Sequence, residues 1–340
     1  MPKPTKKPTA HTRATSLMNQ VNSVLGAKTL RLGSDPAFQT RFIPTSVMPF
    51  DVLLRGGLPR NRCTEIYGDY STLKSFIGLS AIAATQTAGG SAALVDTEHS
   101  YDPEWLETIG GDPDALIVQQ PPTGEAAVEV SEVLIRDGVD LLVWDSIAAT
   151  ITQSAASTRA SEDKQPANTA RFMSRALPRL TAANHGTAML WINQTRDKVG
   201  MTWGSPEFTP GGRAMGFFAS YRIRCVKAGK ITEDVRSWDG EKWVKSKRQT
   251  GQKIRCTLEK SKLNQPYREA WMTFDLHACA IDDVGFLVSQ GLEEGLIEQQ
   301  GSSWTIPELW NGTIRGREAF RDALIPEDLE WIRQQLMEQL

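Results

Sequence analysis

Eight residues, Gly68-Asp69-Tyr70-Ser71-Thr72-Leu73-Lys74-Ser75, lie between the apolar run Cys63-Thr64-Glu65-Ile66-Tyr67 and an amphipathic stretch from Phe76 to Thr87. Strand, turn, helix is the context that a phosphate-binding loop requires. Backbone N–H groups of such a turn point at an anion, and the helix that follows adds the positive end of its dipole. Lys74 is placed to reach the outer phosphates, and Ser75 to hold Mg²⁺. The pattern G-x-x-x-x-G-K-[ST] asks for glycine where this chain has Leu73, and glycine admits backbone conformations that leucine disfavours.

The segments after the loop alternate. Ser91 to Asp96, Leu116 to Gln119, Leu141 to Asp145 and Ala188 to Asn193 are short apolar runs, the form of strands buried on both faces. Between them Pro103 to Ile109, Glu125 to Arg136 and Thr169 to Asn184 carry helical spacing. That rhythm predicts an α/β fold with a mostly parallel sheet covered on both sides. Beyond Gly212 it changes: Ser220 to Val226, Lys253 to Lys260 and Ala270 to Asp275 read as strands with no helix between them, an antiparallel extension. Residues 227–251 hold Trp238 and Trp243 around an Asp-Gly turn, which predicts a projecting hairpin.

Residues 1–13, with Lys3, Lys6, Lys7 and Arg13 and no acid, read as a disordered basic arm. Residues 14–39 are expected to form a helix, with Leu17, Val21, Val24 and Leu25 on one face, and a linker; that face would serve oligomerisation by docking on a neighbouring subunit or, more plainly, pack on its own chain. Residues 40–281 are expected to form the core around the phosphate loop, irregular until about Thr64, and 282–340 a small, helical, acidic C-terminal domain. The net charge of −2 conceals two opposed regions. Residues 282–340 carry twelve Asp and Glu against four Arg, whereas 227–262 carry eleven Lys and Arg against five acids. The four cysteines stand far apart without a C-x-x-C pair, which argues for small apolar residues in a reducing compartment rather than a disulfide framework or zinc site. No apolar run approaches the roughly 18 residues that a membrane span needs, so a soluble, cytoplasmic protein is expected.

Several polar residues fall at strand ends. Asp145 closes Leu141-Leu142-Val143-Trp144 and would hold the metal opposite Ser75. Asp96-Thr97-Glu98-His99 ends another strand, where Glu98 could activate an attacking water or, more plainly, cap a helix. Trp105 opens the next helix and could stack on a nucleobase or pack in a core. Asn193-Gln194 opens a long loop with Arg196, Lys198, Trp203 and Phe208, running to Gly211-Gly212-Arg213. Cations for phosphates beside aromatics for bases suit a single strand, and Gln194 stands where it could touch the last phosphate.

With these segments the chain resembles RecA-family strand-exchange recombinases from about residue 25 to about 320. The resemblance rests on Gly56-Gly57-Leu58-Pro59, Glu65-Ile66-Tyr67-Gly68, Asp96-Thr97-Glu98-His99 with Asp102-Pro103, Arg171-Phe172-Met173-Ser174, and Ile192-Asn193-Gln194 through Pro206-Glu207 to Gly211-Gly212. It implies ATP and Mg²⁺ on Gly68 to Ser75, with Lys74, Glu98 and Gln194 catalytic and Ser75 and Asp145 on the metal. Asp102 and Trp105 would border the adenine, and Lys260 and Lys262 would reach a neighbouring subunit's nucleotide. Residues 154–167 and 195–212 would be the DNA-binding loops, with Arg171, Arg196, Lys198, Trp203, Phe208, Gly211, Gly212 and Arg213 on DNA. Implied partners are single- and double-stranded DNA, further copies of the chain in a helical filament, and single-strand-binding and loader proteins. Leu73 and Gly216 depart from the usual family residues and resemble phage-encoded, UvsX-type members. The implied function is ATP-dependent homologous pairing and strand exchange. A weakly or non-hydrolysing RecA-like DNA-binding regulator and a ring-forming RecA-fold motor are the alternatives.

Overall fold

The computed structural model describes residues 9–26, 30–157, 165–197, 207–238, 240 and 242–339. Two compact units are formed, 1–41 and 42–340. In the first, helix α1 (Ala10–Leu25) is capped by the Thr9 side chain and stops at Gly26 in the left-handed conformation. It starts four residues before the expected boundary at 14, because Thr9 supplies the cap. Leu17, Val21, Val24 and Leu25 are exposed.

The second unit begins with a region expected to be irregular, which instead forms a strand pair, β1 (Phe42–Ile43) with β2 (Leu58–Pro59), around helix α2 (Met48–Leu53). The buried Asp51 carboxylate orders it by accepting from the backbone and hydroxyl of Thr45, both at 2.8 Å. The alternating part follows: β3 (Arg62–Gly68), α3 (Lys74–Thr87), β4 (Ala92–Asp96), α4 (Pro103–Thr108), β5 (Leu116–Gln119), α5 (Gly124–Arg136), β6 (Leu141–Asp145), α6 (Gln153–Ala156), α7 (Gln165–Ala183) and β7 (Ala188–Gln194). A small pair, β8 (Arg196–Asp197) and β9 (Glu207–Phe208), and helix α8 (Ala214–Phe218) lead into β10 (Tyr221–Trp238), β11 (Trp243–Ser261), β12 (Glu269–Asp275) and β13 (Ala280–Ile281).

These strands build a nine-stranded sheet in the order β13-β12-β11-β10-β3-β7-β6-β4-β5. From β10 to β5 the neighbours are parallel, and β11 to β13 add the antiparallel extension. Each central strand feeds both faces, which is why its sequence is apolar throughout. Leu94, Val143, Leu190 and Ile192 join the core under α3. Val95, Trp144, Met189 and Trp191 join the core under α5 and α7. Gly68 is required for strand spacing, since a Cβ there would lie 2.1 Å from the Cys225 carbonyl oxygen.

Residues 282–340 are not wholly helical as expected. Between α9 (Asp283–Glu293) and the last two helices, α10 (Arg317–Ala323) and α11 (Pro326–Gln339), lies a three-stranded antiparallel sheet, β14 (Glu298–Gln300), β15 (Ser303–Thr305) and β16 (Ile314–Arg315). The Gly301 turn between β14 and β15 makes that pairing possible, with φ at +60°. This region has its own apolar core around Trp304, Phe320 and Ile332, and Val52 of α2 packs into it. No helix among the described residues is long and apolar enough to cross a membrane.

Candidate functional site

Parallel strands bring their carboxyl ends to one edge, and register decides which residues meet there. Gly68 of β3 stands opposite Gln194 of β7, and Asp96 of β4 opposite Asp145 of β6. The phosphate loop, Glu98, Asp145 and Gln194 therefore share one edge of the sheet although they come from four separate segments.

In the loop, Asp69 accepts from the Tyr70 N–H at 2.8 Å, and the Thr72 hydroxyl donates to the Asp69 carbonyl at 2.8 Å. Lys74 donates to that carbonyl at 2.6 Å and to the Thr72 hydroxyl at 3.1 Å, which folds its ammonium over the loop. Burial draws Lys74 below its ordinary pKa, with Cys225, Asp145, Glu98 and Asp69 pulling the other way. An anion delivered to the loop would relieve that penalty.

Leu73 takes the left-handed conformation that glycine would take, φ +64°, and Ser71 is left-handed too, φ +53°. The Leu73 side chain packs against the core under α3 rather than projecting into the loop. A left-handed leucine costs about 1–2 kcal/mol, and burying part of the side chain returns about 1–2 kcal/mol. Leu73→Gly is therefore expected to move stability by less than about 1 kcal/mol, because the two effects cancel. ATP turnover should stay within a few-fold of the native rate. Turnover seen only in the glycine variant would make the native loop a binding-only site.

Asp145 is buried, and burial pushes its carboxyl up to about 6; the Ser75 hydroxyl bonded to it pulls down, and Glu98 and Asp96 push further up. Among the described residues no three His, Cys, Asp or Glu side chains are arranged to hold a metal alone. A hydroxyl and one carboxylate suit Mg²⁺, which keeps several waters and takes phosphate oxygens as its other ligands. The residues present therefore fit that ion. A cleft of about 210 Å³ runs from Ser75 and Asp145 past Asp96 to Asp102 and Trp105. Asp102 also caps α4, accepting from the Glu104 N–H at 2.9 Å.

Glu98 does not act as a helix cap. Its Oε1 accepts from Gln194 Nε2 at 2.7 Å and from the Ser146 hydroxyl. Ser146 is held in turn by Thr97, whose Oγ1 donates to the Ser146 carbonyl at 2.7 Å and accepts its N–H at 2.9 Å. Sequence reasoning missed Ser146, since a serine after a strand-ending aspartate carries no signal.

A buried network missed in the sequence starts from Glu65, fully enclosed in β3. Glu65 pairs with Arg222 and accepts from Asn193 Nδ2 at 2.9 Å. Asn193 also donates to the Pro210 carbonyl at 3.0 Å, and Arg222 to Thr209 Oγ1 at 3.4 Å. Arg222 lies over the Tyr67 ring, 4.8 Å from its centroid. The strand that carries the phosphate loop is thus tied to residues 207–213. A lone glutamate inside an apolar strand was the available signal, because a buried carboxylate needs a partner.

The residues expected to contact DNA fall into two groups. Arg171 lines a cleft of about 440 Å³ between α5 and α7 with Arg175 and Arg179. Phe208, Gly212 and Arg213 line another of about 590 Å³ with Tyr67, Arg222 and Arg224. Arg196 stands opposite Phe208 in the β8–β9 pair, which closes the base of the 195–212 segment. Gly211 and Gly212 have φ +94° and +66°, and a Cβ on Gly212 would meet Ala170 of α7 at 2.9 Å. Lys198 and Trp203 lie outside the described residues. Of the expected 154–167 loop, 154–156 fall in α6 and 165–167 in α7, and 158–164 lie outside the described residues.

Lys260 and Lys262 lie away from the phosphate loop of their own chain. Lys260 donates to the carbonyls of Gly216 (2.5 Å) and Ala219 (2.9 Å), and Lys262 to Phe217 (2.7 Å), at the C-terminal end of α8. Carbonyls at a helix C-terminus favour cations. Burial, then Lys262 and Arg222, draw Lys260 below its ordinary pKa.

The RecA N-terminal domain family matches residues 13–278. The chain belongs to the RecA family. It is 40% identical over 315 residues to Protein RecA of Thermus thermophilus, covering 91% of this chain and 88% of the relative. Protein RecA of Salinispora arenicola is 37% identical over 320 residues, covering 92% and 86%. Protein RecA of Nocardia farcinica is 38% identical over 283 residues, covering 81% and 77%.

Proposed function

We propose that this recombinase hydrolyses ATP at the edge formed by β3, β4, β6 and β7, and that nucleotide there sets the DNA-binding state of residues 195–213. It is a DNA-dependent ATPase that forms filaments on single-stranded DNA and promotes homologous pairing and strand exchange. The observation that carries the site reading is the 2.7 Å hydrogen bond from Gln194 to Glu98. It joins a carboxylate able to take a proton from water to an amide on the strand that leads into the DNA-facing segment.

In this reading the loop N–H groups and Lys74 bind the phosphates, and Asp102 and Trp105 flank the base. Mg²⁺ held by Ser75 and Asp145 would offset phosphate charge. Glu98 orients a water and accepts its proton, while Ser146 and Gln194 hold the carboxylate in place. When Gln194 turns to a terminal phosphate, the adjoining Asn193 carries the change to Pro210 and Glu65. Strand pairing itself needs no bond made or broken by the protein, so nucleotide binding can suffice for it and hydrolysis serves filament turnover.

A second copy would complete the assembly. Lys260 and Lys262 would meet the neighbour's nucleotide, and the exposed apolar side of α1 would dock on an adjacent protomer. Of the expected basic arm at 1–13, residues 10–13 belong to α1, and 1–9, carrying three lysines, would remain as the arm; 282–340 would be an acidic module that repels duplex DNA until it is screened. Leu73 and Gly216 would mark a phage-type member acting in its host's cytoplasm, with single-strand-binding and loader proteins as partners. ATP turnover measured with and without single-stranded DNA tests the central claim. Stimulation of tenfold or more, on the order of 1.4 kcal/mol in the barrier, is expected. Turnover indifferent to DNA would sink it, and electron microscopy would separate filament from ring.

A further inference from the structure

We propose that the outer half of the β10–β11 hairpin is a second grip for single-stranded DNA, separate from residues 195–213. Trp238 and Trp243 would stack on bases, and Arg236, Lys245 and Lys247 would hold phosphates. The inference rests on the chemistry of one ribbon face rather than on the nucleotide-site assignment.

β10 parts from β3 after Cys225 and Gly68, and β11 pairs with β12 only from Gly251 onward. Outside Ile231 and Gly251 the two strands therefore pair with each other alone. A two-stranded ribbon is marginal by itself, and Trp238 opposite Trp243 clasps its end, with ring centroids 5.9 Å apart at 64°. Clasping explains the pairing but not the exposure. The indoles remain 56% and 66% open to solvent.

Register shows what accompanies them. Side chains two apart on a strand share a face, so the Trp238/Trp243 row continues as Arg236/Lys245 and then Asp234/Lys247, at about 7 Å per row. That face carries three cations and one acid. The opposite face holds the Glu233–Arg248 ion pair and the half-buried Val235 and Val244, and is neutral. Cations and aromatics are thus segregated onto one side. A duplex hides its base faces in the stack, whereas a single strand offers both phosphates and splayed bases, which favours the single strand as occupant. The acidic 282–340 region of a second copy would satisfy the cations but leave the indoles without a flat partner.

The test uses the full-length protein without nucleotide and a thymidine oligonucleotide carrying 5-iodouracil. Ultraviolet crosslinks are expected at Trp238 or Trp243. The Trp238→Ala/Trp243→Ala variant should bind the oligonucleotide at least about fivefold more weakly, and phenylalanine at both positions should restore binding to within about twofold. Removing Arg236, Lys245 and Lys247 together should lower the slope of log affinity against log salt by about 2. Crosslinks confined to 195–213, unchanged binding by the double alanine variant, or an equal loss of duplex binding would each overturn the proposal. So would loss of self-association with single-strand binding intact, which would assign the face to a second copy. No readout depends on ATP hydrolysis, so failure here and failure of the catalytic assignment are distinguishable.

Discussion

ATP turnover by a Lys74→Ala variant is expected to fall by at least about 10²-fold, with or without DNA, the scale on which a single preorganised electrostatic donor acts. Lys74 is buried and is held over the loop by the Asp69 carbonyl and the Thr72 hydroxyl. In the proposed site the ammonium is therefore positioned before phosphate would arrive, and alanine removes both charge and position. Stability should respond differently. Because burial holds the folded-state pKa of Lys74 below its unfolded value, the charged lysine opposes folding at neutral pH. Alanine should then melt within a few degrees of the native protein while losing turnover. Turnover left intact would remove Lys74 from the site, and a collapsed melting temperature would make its role structural.

Glu98→Gln is expected to slow hydrolysis by about 10²–10⁴-fold, the range for loss of a general base, while DNA binding persists and filaments live longer. The amide is nearly isosteric and its oxygen can still accept from Ser146 and Gln194, the partners that Glu98 has now. Geometry should survive, and only proton acceptance is lost. Single-turnover hydrolysis measured beside DNA binding separates the two effects. A variant that fails to bind DNA would show that the carboxylate is needed to hold the Gln194 strand end.

The α/β rhythm was legible because it is local. Apolar runs such as Leu141 to Trp144 are too short for a helix and read as strands buried on both faces, and the 220–275 segments lack any helical period between them. The region from 40 to 64 was misread as irregular because its order comes from Asp51, whose burial is a tertiary fact. The sheet in 282–340 was missed because its strands are two or three residues long, too short for a period of two to register. Glu65 and Arg222 are 157 residues apart, and no local pattern marks them as partners.

The sequence by itself determined the strand, turn and helix around Gly68 to Ser75 and the identity of the polar residues at strand ends, since these follow from residue type and short-range spacing. Tertiary structure alone decided their neighbours. Two strands, β7 and β6, stand between β3 and β4, so the loop and Glu98 are not adjacent in the sheet. Gln194, 96 residues from Glu98, closes the gap by hydrogen bonding to it. Strand order in a parallel sheet is set by crossovers that pack over its faces, and the period of a strand carries no record of which strand lies beside it. The same holds for Leu73. Its departure from glycine was visible in the chain, but the left-handed backbone and the core contact that offset each other exist only in the fold.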